Sequence, residues 1–311
     1  MKNGHLMVTR KIVLGLVTVI PGISATAPDY AGVTARMVIT ALPAKGSTGP
    51  ASLGAGNLIV LQGGNPAPVI GLQSLSGGLS GMQLFVLLDD STRSSSLGIQ
   101  LPELRVFIES LPPTTEVAVG YMRNGSFGLV QPFTNDHRKA GRALRLPAAV
   151  PGENGSPYFV LSDLVKHWPS KEPAYRRAVL TFTDGVDRYY TTRVMDDPYV
   201  DAALHDALKQ GVAIYSVYLR GAGLYGRDLW TTTIAQSRLI EVSEDTGGYA
   251  YFQDFTDPVS ISPFLKDLRD RFDHQYQVTF RAQGQKGFQP VKLRTETPGL
   301  KISGPSRIYV P

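Results

Sequence analysis

An unbroken apolar run, Leu84-Phe85-Val86-Leu87-Leu88, stops abruptly at Asp89 and Asp90 and passes into a hydroxyl-rich loop, Ser91-Thr92-Arg93-Ser94. Such a run suits a strand buried on both faces, the usual state in a parallel sheet. A second run, Ala178 to Thr183, ends the same way in Asp184-Gly185. Ligands of open α/β sheets bind just beyond the carboxyl ends of their strands. Both carboxylates therefore fall where a site belongs.

The pattern around these strands alternates. Leu104, Phe107, Ile108 and Leu111 recur at helical spacing, and Pro112-Pro113 stop them. Val117–Tyr121 and Phe127–Val130 flank Asn124-Gly125, a hairpin signal. Helical patterns follow near His137–Leu144 and Tyr158–His167. Asp197 is a fitting N-cap for a helix with Pro198 at its first position and Gly211 at its end. Val212–Leu219 reads as a strand, Leu229–Asp245 as a helix, Tyr249–Phe252 as a short strand and Pro258–Phe272 as the last helix. This alternation predicts a doubly wound, mostly parallel α/β sheet over residues 81–274. Residues 28–80 carry only strand candidates: Val33–Leu42, Leu58–Leu61 and Val69–Leu72, with Gly63-Gly64-Asn65-Pro66 as a turn. Residues 275–311 carry more, at Tyr276–Phe280, Val291–Arg294, Leu300–Ile302 and Ile308–Val310. Neither end has enough strands to bury a sheet alone. They are expected to pair into one small β-sandwich, with the α/β domain inserted between them.

The two strand-ending carboxylates, with Gly152-Glu153-Asn154-Gly155-Ser156-Pro157 between them, resemble the von Willebrand factor A (VWA) domain. The β-region, central domain and Gln275-Tyr276 entry to the C-terminal strands are nearest the VWFA-related secreted proteins of acidobacterial type. That family's metal-ion-dependent adhesion site reads Asp-x-Ser-x-Ser, then a Thr, then an Asp. Asp89, Ser91, Ser156 and Asp184 fall on those positions, and the resemblance implies that they hold Mg²⁺. Arg93 stands where the family has Ser. Pointing inward, its guanidinium pairs with Asp89 or Asp184 and replaces the ion. Pointing outward, it leaves four oxygens for the metal. A register shifted by one, Asp90-x-Thr92-x-Ser94, is the alternative oxygen set, but the family position directly after the strand favours Asp89. Asp90 is then expected to face solvent.

The loops at the same edge carry Asp187, Arg188, Tyr189 and Tyr190, and then Leu224, Tyr225 and Arg227. Arg and Tyr on loops are common interface anchors. The stretch Gly221 to Gly226 also fits Gly-x-Gly-x-x-Gly, but it comes late in the chain and the next strand ends in Gln253. It therefore reads as an interface loop, not a dinucleotide site.

Composition narrows the class. The 311 residues are 42% apolar and 18% charged, an ordinary globular balance. The net charge of +5 comes from scattered Lys and Arg without an aromatic–basic motif, which speaks for an anionic partner or surface and against nucleic acid. Cysteine is absent, which excludes disulfides, Cys-ligated metals and Cys nucleophiles. Arg10-Lys11, the apolar run Ile12–Ile20, Pro21-Gly22 and small residues near Ala25 form the layout of a signal peptide over residues 1–25, so a secreted or periplasmic location is expected. The apolar run is too short to span a bilayer, which takes roughly 20 residues. The five His residues lack metal spacing, and no nucleophile elbow or Walker loop occurs. The expected function is non-enzymatic contact with a protein or matrix-like partner through the loops of the sheet edge, with no small-molecule cofactor. A metal-dependent hydrolase using Asp89 or Asp184 is the alternative, and a structural protein with a vestigial site is a third reading.

Overall fold

The structure is a computed structural model and describes residues 33–44, 52–123, 125–150, 155–172, 174, 176–190, 196–221, 228–284 and 286–311. The expected signal peptide, the loop residues 152–154 and the interface candidates Leu224, Tyr225 and Arg227 lie outside them.

The outer strands come first. They are β1 (Val33–Pro43), β2 (Leu58–Gln62), β3 (Asn65–Ala67) and β4 (Val69–Ser74). Asn65 and Pro66 belong to a strand here, not to the turn, because Gln62 pairs with Asn65 and leaves Gly63-Gly64 as the two-residue connection. The central part follows with β5 (Met82–Asp89), α1 (Ser94–Glu109), β6 (Thr115–Arg123), β7 (Ser126–Thr134), α2 (His137–Arg142), α3 (Pro157–Lys166) and β8 (Arg176–Thr183). It continues through α4 (Pro198–Gln210), β9 (Val212–Tyr218), α5 (Leu229–Asp245), β10 (Tyr249–Tyr251) and α6 (Ser262–Asp273). The chain closes with β11 (Gln275–Ala282), β12 (Gly287–Thr295), β13 (Leu300–Ser303) and β14 (Arg307–Val310).

Helix α1 starts well before the apolar residues that announce it, because Leu97 and Leu101 continue the buried stripe upstream and Pro102 sits inside the helix. Helix α6 starts later than expected, since residues near Pro258 instead form a loop tied to α1 by the Gln100 side-chain amide, which donates to the Pro258 carbonyl. Helix α4 is capped as its sequence reads. The Asp197 carboxylate accepts from the Tyr199 N–H at 2.9 Å, and Gly211 takes the left-handed conformation (φ 64°) that ends it.

The central sheet has the order β10-β9-β8-β5-β6-β7, and all neighbours are parallel except β6 and β7. Strand β5 sends alternate residues to opposite faces. Leu84, Val86 and Leu88 pack with α1, α2 and α6, while Phe85 and Leu87 pack with α3, α4 and α5. Both faces are thus covered, which is why the run is uninterrupted by polar residues. The connection after β5 leaves toward one layer and the connection after β8 toward the other. The strand order reverses between these neighbours, at whose carboxyl ends sheets of this kind form their crevice. Asp89 and Asp184 stand at its two sides.

The outer strands form two four-stranded sheets, β13-β1-β11-β4 and β14-β12-β2-β3. Each mixes N- and C-terminal strands: β1 pairs antiparallel with β11, and β2 with β12. Met37, Ile39 and Phe280 of one sheet share a core with Val60, Val291 and Ile308 of the other. The α/β layers are therefore inserted into a β-sandwich, as the strand count at each end requires.

Candidate functional site

Ser91 of the first loop and Thr183 of β8 converge on one carboxylate. Asp89 is 1% exposed. Its Oδ1 accepts from the Ser91 N–H at 2.9 Å and from the Ser91 hydroxyl at 2.8 Å. Its Oδ2 accepts from the Thr183 hydroxyl at 3.0 Å, a bond that stitches the end of β8 to the end of β5. Thr183 was not among the candidates, because Ser156 stands for the family's Thr.

Asp184 lies across the crevice. Gly185 follows with φ 67°, a conformation that a side chain would resist and that turns the chain sharply back. The turn lets the Val186 N–H donate to Asp184 Oδ1 at 3.0 Å and brings Arg188 round onto the same carboxylate. The Arg188 guanidinium donates to Asp184 Oδ2 at 2.6 Å and reaches Oδ1 at 3.4 Å. Both side chains are less than a tenth exposed. The counter-ion expected of Arg93 is therefore Arg188. Arg93 precedes the first turn of α1, and its guanidinium donates instead to the Gly221 carbonyl at 2.9 Å.

Ser156 faces a different carboxylate. Its hydroxyl donates to Asp187 Oδ2 at 2.5 Å and accepts from the Phe159 N–H, capping α3. Asp187 Oδ1 accepts from the N–H groups of Tyr189 and Tyr190, both at 2.8 Å. Asp187 and Arg188 were expected on the surface as interface anchors. Both are turned inward, Asp187 onto Ser156 and Arg188 onto Asp184. Tyr189 does remain exposed, and Tyr190 is half-buried. Farther along, Arg238 and Asp197 form another inward pair at 3.0 Å.

Asp90 also departs from expectation. It is fully buried and held by Arg145 through bonds of 2.6 and 3.0 Å, by the Ala148 N–H at 2.9 Å and by Arg123 at 3.4 Å. Strand alternation sends it to the face opposite Asp89, where residues 145–149 cover it. Thr92 and Ser94 do not join it: their hydroxyls donate to the Asp89 and Pro147 carbonyls.

The charges oppose each other in a way that sets the titration. Burial first, and the neighbouring Asp184 carboxylate second, push the Asp89 carboxyl above its ordinary value against the Ser91 bonds and the Arg188 charge. Burial acts in the same direction on Asp90, but the Arg145 and Ala148 bonds and the two arginine charges outweigh it and hold that carboxyl below its ordinary value. Asp89→Asn is accordingly expected to stabilise the fold by about 1 kcal/mol at neutral pH, because it removes a buried charge and keeps the Ser91 bonds. Above its ordinary pKa, the folded Asp89 retains a proton that the unfolded chain has released. Native stability then falls as pH rises through that interval. The advantage of Asn should therefore grow as pH rises above the ordinary carboxylate value in denaturant melts, and an advantage largest in acid would contradict this assignment.

As arranged, these residues do not fit a divalent ion. A hard cation needs six oxygens free of competing positive charge. Here a permanent guanidinium already holds Asp184, and Ser156 has turned to Asp187. Among the described residues, no group of three or more His, Asp or Glu side chains is placed to hold a metal.

Among the described residues, the loops above this buried layer carry exposed apolar side chains. Tyr189, Phe159 and Tyr199 stack edge to face with centroids 5.7 to 6.3 Å apart. Leu229 and Trp230 in the first turn of α5, and Phe252 and Phe255 after β10, are also exposed. Sequence reading missed these four, because isolated apolar residues at the start of a helix or in a loop carry no periodic signal.

The sequence matches no known protein-family model and no curated protein. Among solved structures, the chain is similar to an aerotolerance-related membrane protein from Bacteroides fragilis NCTC 9343, with 14% identity over 62% of this chain and 99% of that one and a TM-score of 0.44. It is also similar to the conserved hypothetical protein BatB from Bacteroides thetaiotaomicron, with 15% identity over 61% of this chain and 97% of that one and a TM-score of 0.41. A third is the SpRpn10 VWA domain, with 15% identity over 58% of this chain and 96% of that one and a TM-score of 0.34.

Proposed function

We propose that this chain is a non-catalytic binding protein whose contact face is the loop-bearing rim at the carboxyl ends of the central strands. The observation that carries the reading is a set of exposed aromatic and aliphatic side chains on these loops beside a buried, mutually bonded set of charges. Tyr189 is 51% exposed, Trp230 54% and Leu229 65%. Such anchors are what a protein partner desolvates, and leaving them in water is unfavourable unless a partner covers them. A catalytic carboxylate must reach its substrate. Asp89 and Asp184 are buried and engaged with Ser91, Thr183 and Arg188.

In this reading the contact is independent of Mg²⁺. Arg188 supplies the positive charge that an ion supplies in the adhesion site the sequence resembles. The partner is an envelope or extracellular protein, a location motivated by the leader-like pattern in residues 1–25. Among the described residues, no helix is long and apolar enough to cross a membrane.

The test is retention of a partner from the envelope proteins of the source cell by the immobilised chain. Tyr189→Asp combined with Trp230→Asp is expected to lower retention at least tenfold and leave the unfolding transition unchanged, since both side chains are exposed. Equal retention by the double variant would sink the reading. Titration of the unaltered protein with Mg²⁺ or Mn²⁺ is expected to give no heat. A screen with phosphoesters and glycosides is expected to show no turnover with or without metal; turnover lost in Asp89→Asn would instead establish the hydrolase.

A further inference from the structure

A second cavity lies at the opposite end of the central sheet, where the strand starts face the sandwich. It holds about 320 Å³ and is lined by Arg36 of β1, Arg176 and Arg177 of β8, Lys209 of α4 and Arg307 of β14, with no carboxylate in its wall. Among the described residues, none of these five cations lies within salt-bridge distance of an acid. Scattered basic residues normally find acidic neighbours or open solvent. Five around one cleft without an acid leave a positive potential that low-dielectric walls concentrate.

Arg176 is the strongest sign of a missing partner. It is 7% exposed, yet its guanidinium meets only neutral oxygens. It donates to the Phe272 carbonyl at 2.6 Å, the Gln275 side-chain carbonyl at 2.7 Å and the Ser80 carbonyl at 3.0 Å. Its Nε is buried without a hydrogen-bond partner. A buried charge normally has an opposite charge beside it, because desolvation is otherwise uncompensated. Burial pushes this guanidinium down to about 10, and the nearby Tyr215 and Asp273, which act the other way but accept no hydrogen bond from it, do not offset that. The rest of the wall mixes neutral polar side chains, such as Gln210 and Thr246, with apolar ones, Met37, Ile308 and Tyr309, and the Lys209 ammonium rests 5.3 Å over the Tyr309 ring.

We propose that this cleft binds a phosphate-bearing small molecule, with Arg176 at its base and Arg36, Lys209 and Arg307 receiving the phosphate charge. Several cations with no acid call for a multiply charged group, and guanidinium forks match phosphate oxygens bidentately. The apolar part of the wall accommodates an organic body, and the volume lies in the range of small-ligand sites. The site draws on β1 and β14 as well as on β8 and α4, so a bound ligand would join the sandwich to the α/β layers. It is separate from the crevice between Asp89 and Asp184 and independent of the function proposed for that rim.

Calorimetric titration of the full chain with inorganic pyrophosphate at low salt tests this. Binding of the unaltered protein is expected, weakening as salt rises from about 50 to about 200 mM through screening. Arg36→Gln with Arg307→Gln is expected to reduce affinity at least tenfold. Both residues are exposed, so the unliganded variant should unfold at the same temperature as the parent. No heat and no thermal shift with pyrophosphate, or equal affinity in the double variant, would overturn the proposal.

Discussion

Arg188→Leu is expected to cost roughly 3–5 kcal/mol of stability at neutral pH, the scale on which a buried ion pair loses one partner. The residue bonds Asp184 at 2.6 Å with both side chains almost fully buried, and its charge also lowers the Asp89 carboxyl. Without it, two neighbouring carboxylates share the crevice with no guanidinium beside them. Asp89, whose carboxyl burial and Asp184 already raise, can escape by taking up a proton, so the loss should shrink as pH falls. Arg188→Lys keeps the charge but not the fork, and should cost about 1–2 kcal/mol. Denaturant melts across pH decide the matter. A variant as stable as the parent at neutral pH would show that Arg188 is not the internal counter-ion, and a metal would again be needed to balance Asp89 and Asp184.

Asp90→Ala is the second large effect, about 3 kcal/mol destabilising. The Asp90 carboxylate anchors Arg145 and the Ala148 N–H. Arg145 in turn lies 3.8 Å over the Tyr121 ring, and its own N–H donates to the Tyr121 hydroxyl at 2.7 Å. Removing Asp90 therefore frees the whole segment 145–149 from the end of β5. The folded carboxyl titrates below its ordinary value, so its contribution is complete above that value and lost as pH falls through the depressed one. The difference between parent and variant should vanish in strong acid. Asp90→Asn, which still accepts from Ala148, should lose about half as much. A loss that persisted undiminished in acid would mean that packing, not charge, holds the segment.

The strand ends that frame the candidate site were legible because burial leaves a mark on neighbouring residues. A strand covered on both faces must be apolar along its length, so the first carboxylate after Leu88 or Thr183 marks the carboxyl end of a strand. The insertion of the α/β layers into a sandwich was legible too, because strands too few to bury a sheet must find others. The split into two mixed sheets was not, since β1 and β2 have similar patterns and only pairing with β11 and β12 separates them.

Charge leaves no such mark. Arg93 and Arg188 are both four residues from a site carboxylate, and nothing in their spacing says which one turns inward. The left-handed turn at Gly185 brings Arg188 onto Asp184, and the start of α1 carries Arg93 away to Gly221. Asp90 looked solvent-facing because the segment that covers it lies more than fifty residues downstream. Arg36, Lys209 and Arg307 looked scattered until β1, α4 and β14 met at one cleft. Apolar burial is a property of a continuous segment, and the order of residues therefore specifies the strands, the helices and the edge that carries the site. Charge compensation is settled between segments distant in the chain, and which cation faces which carboxylate is decided only when the folded layers close.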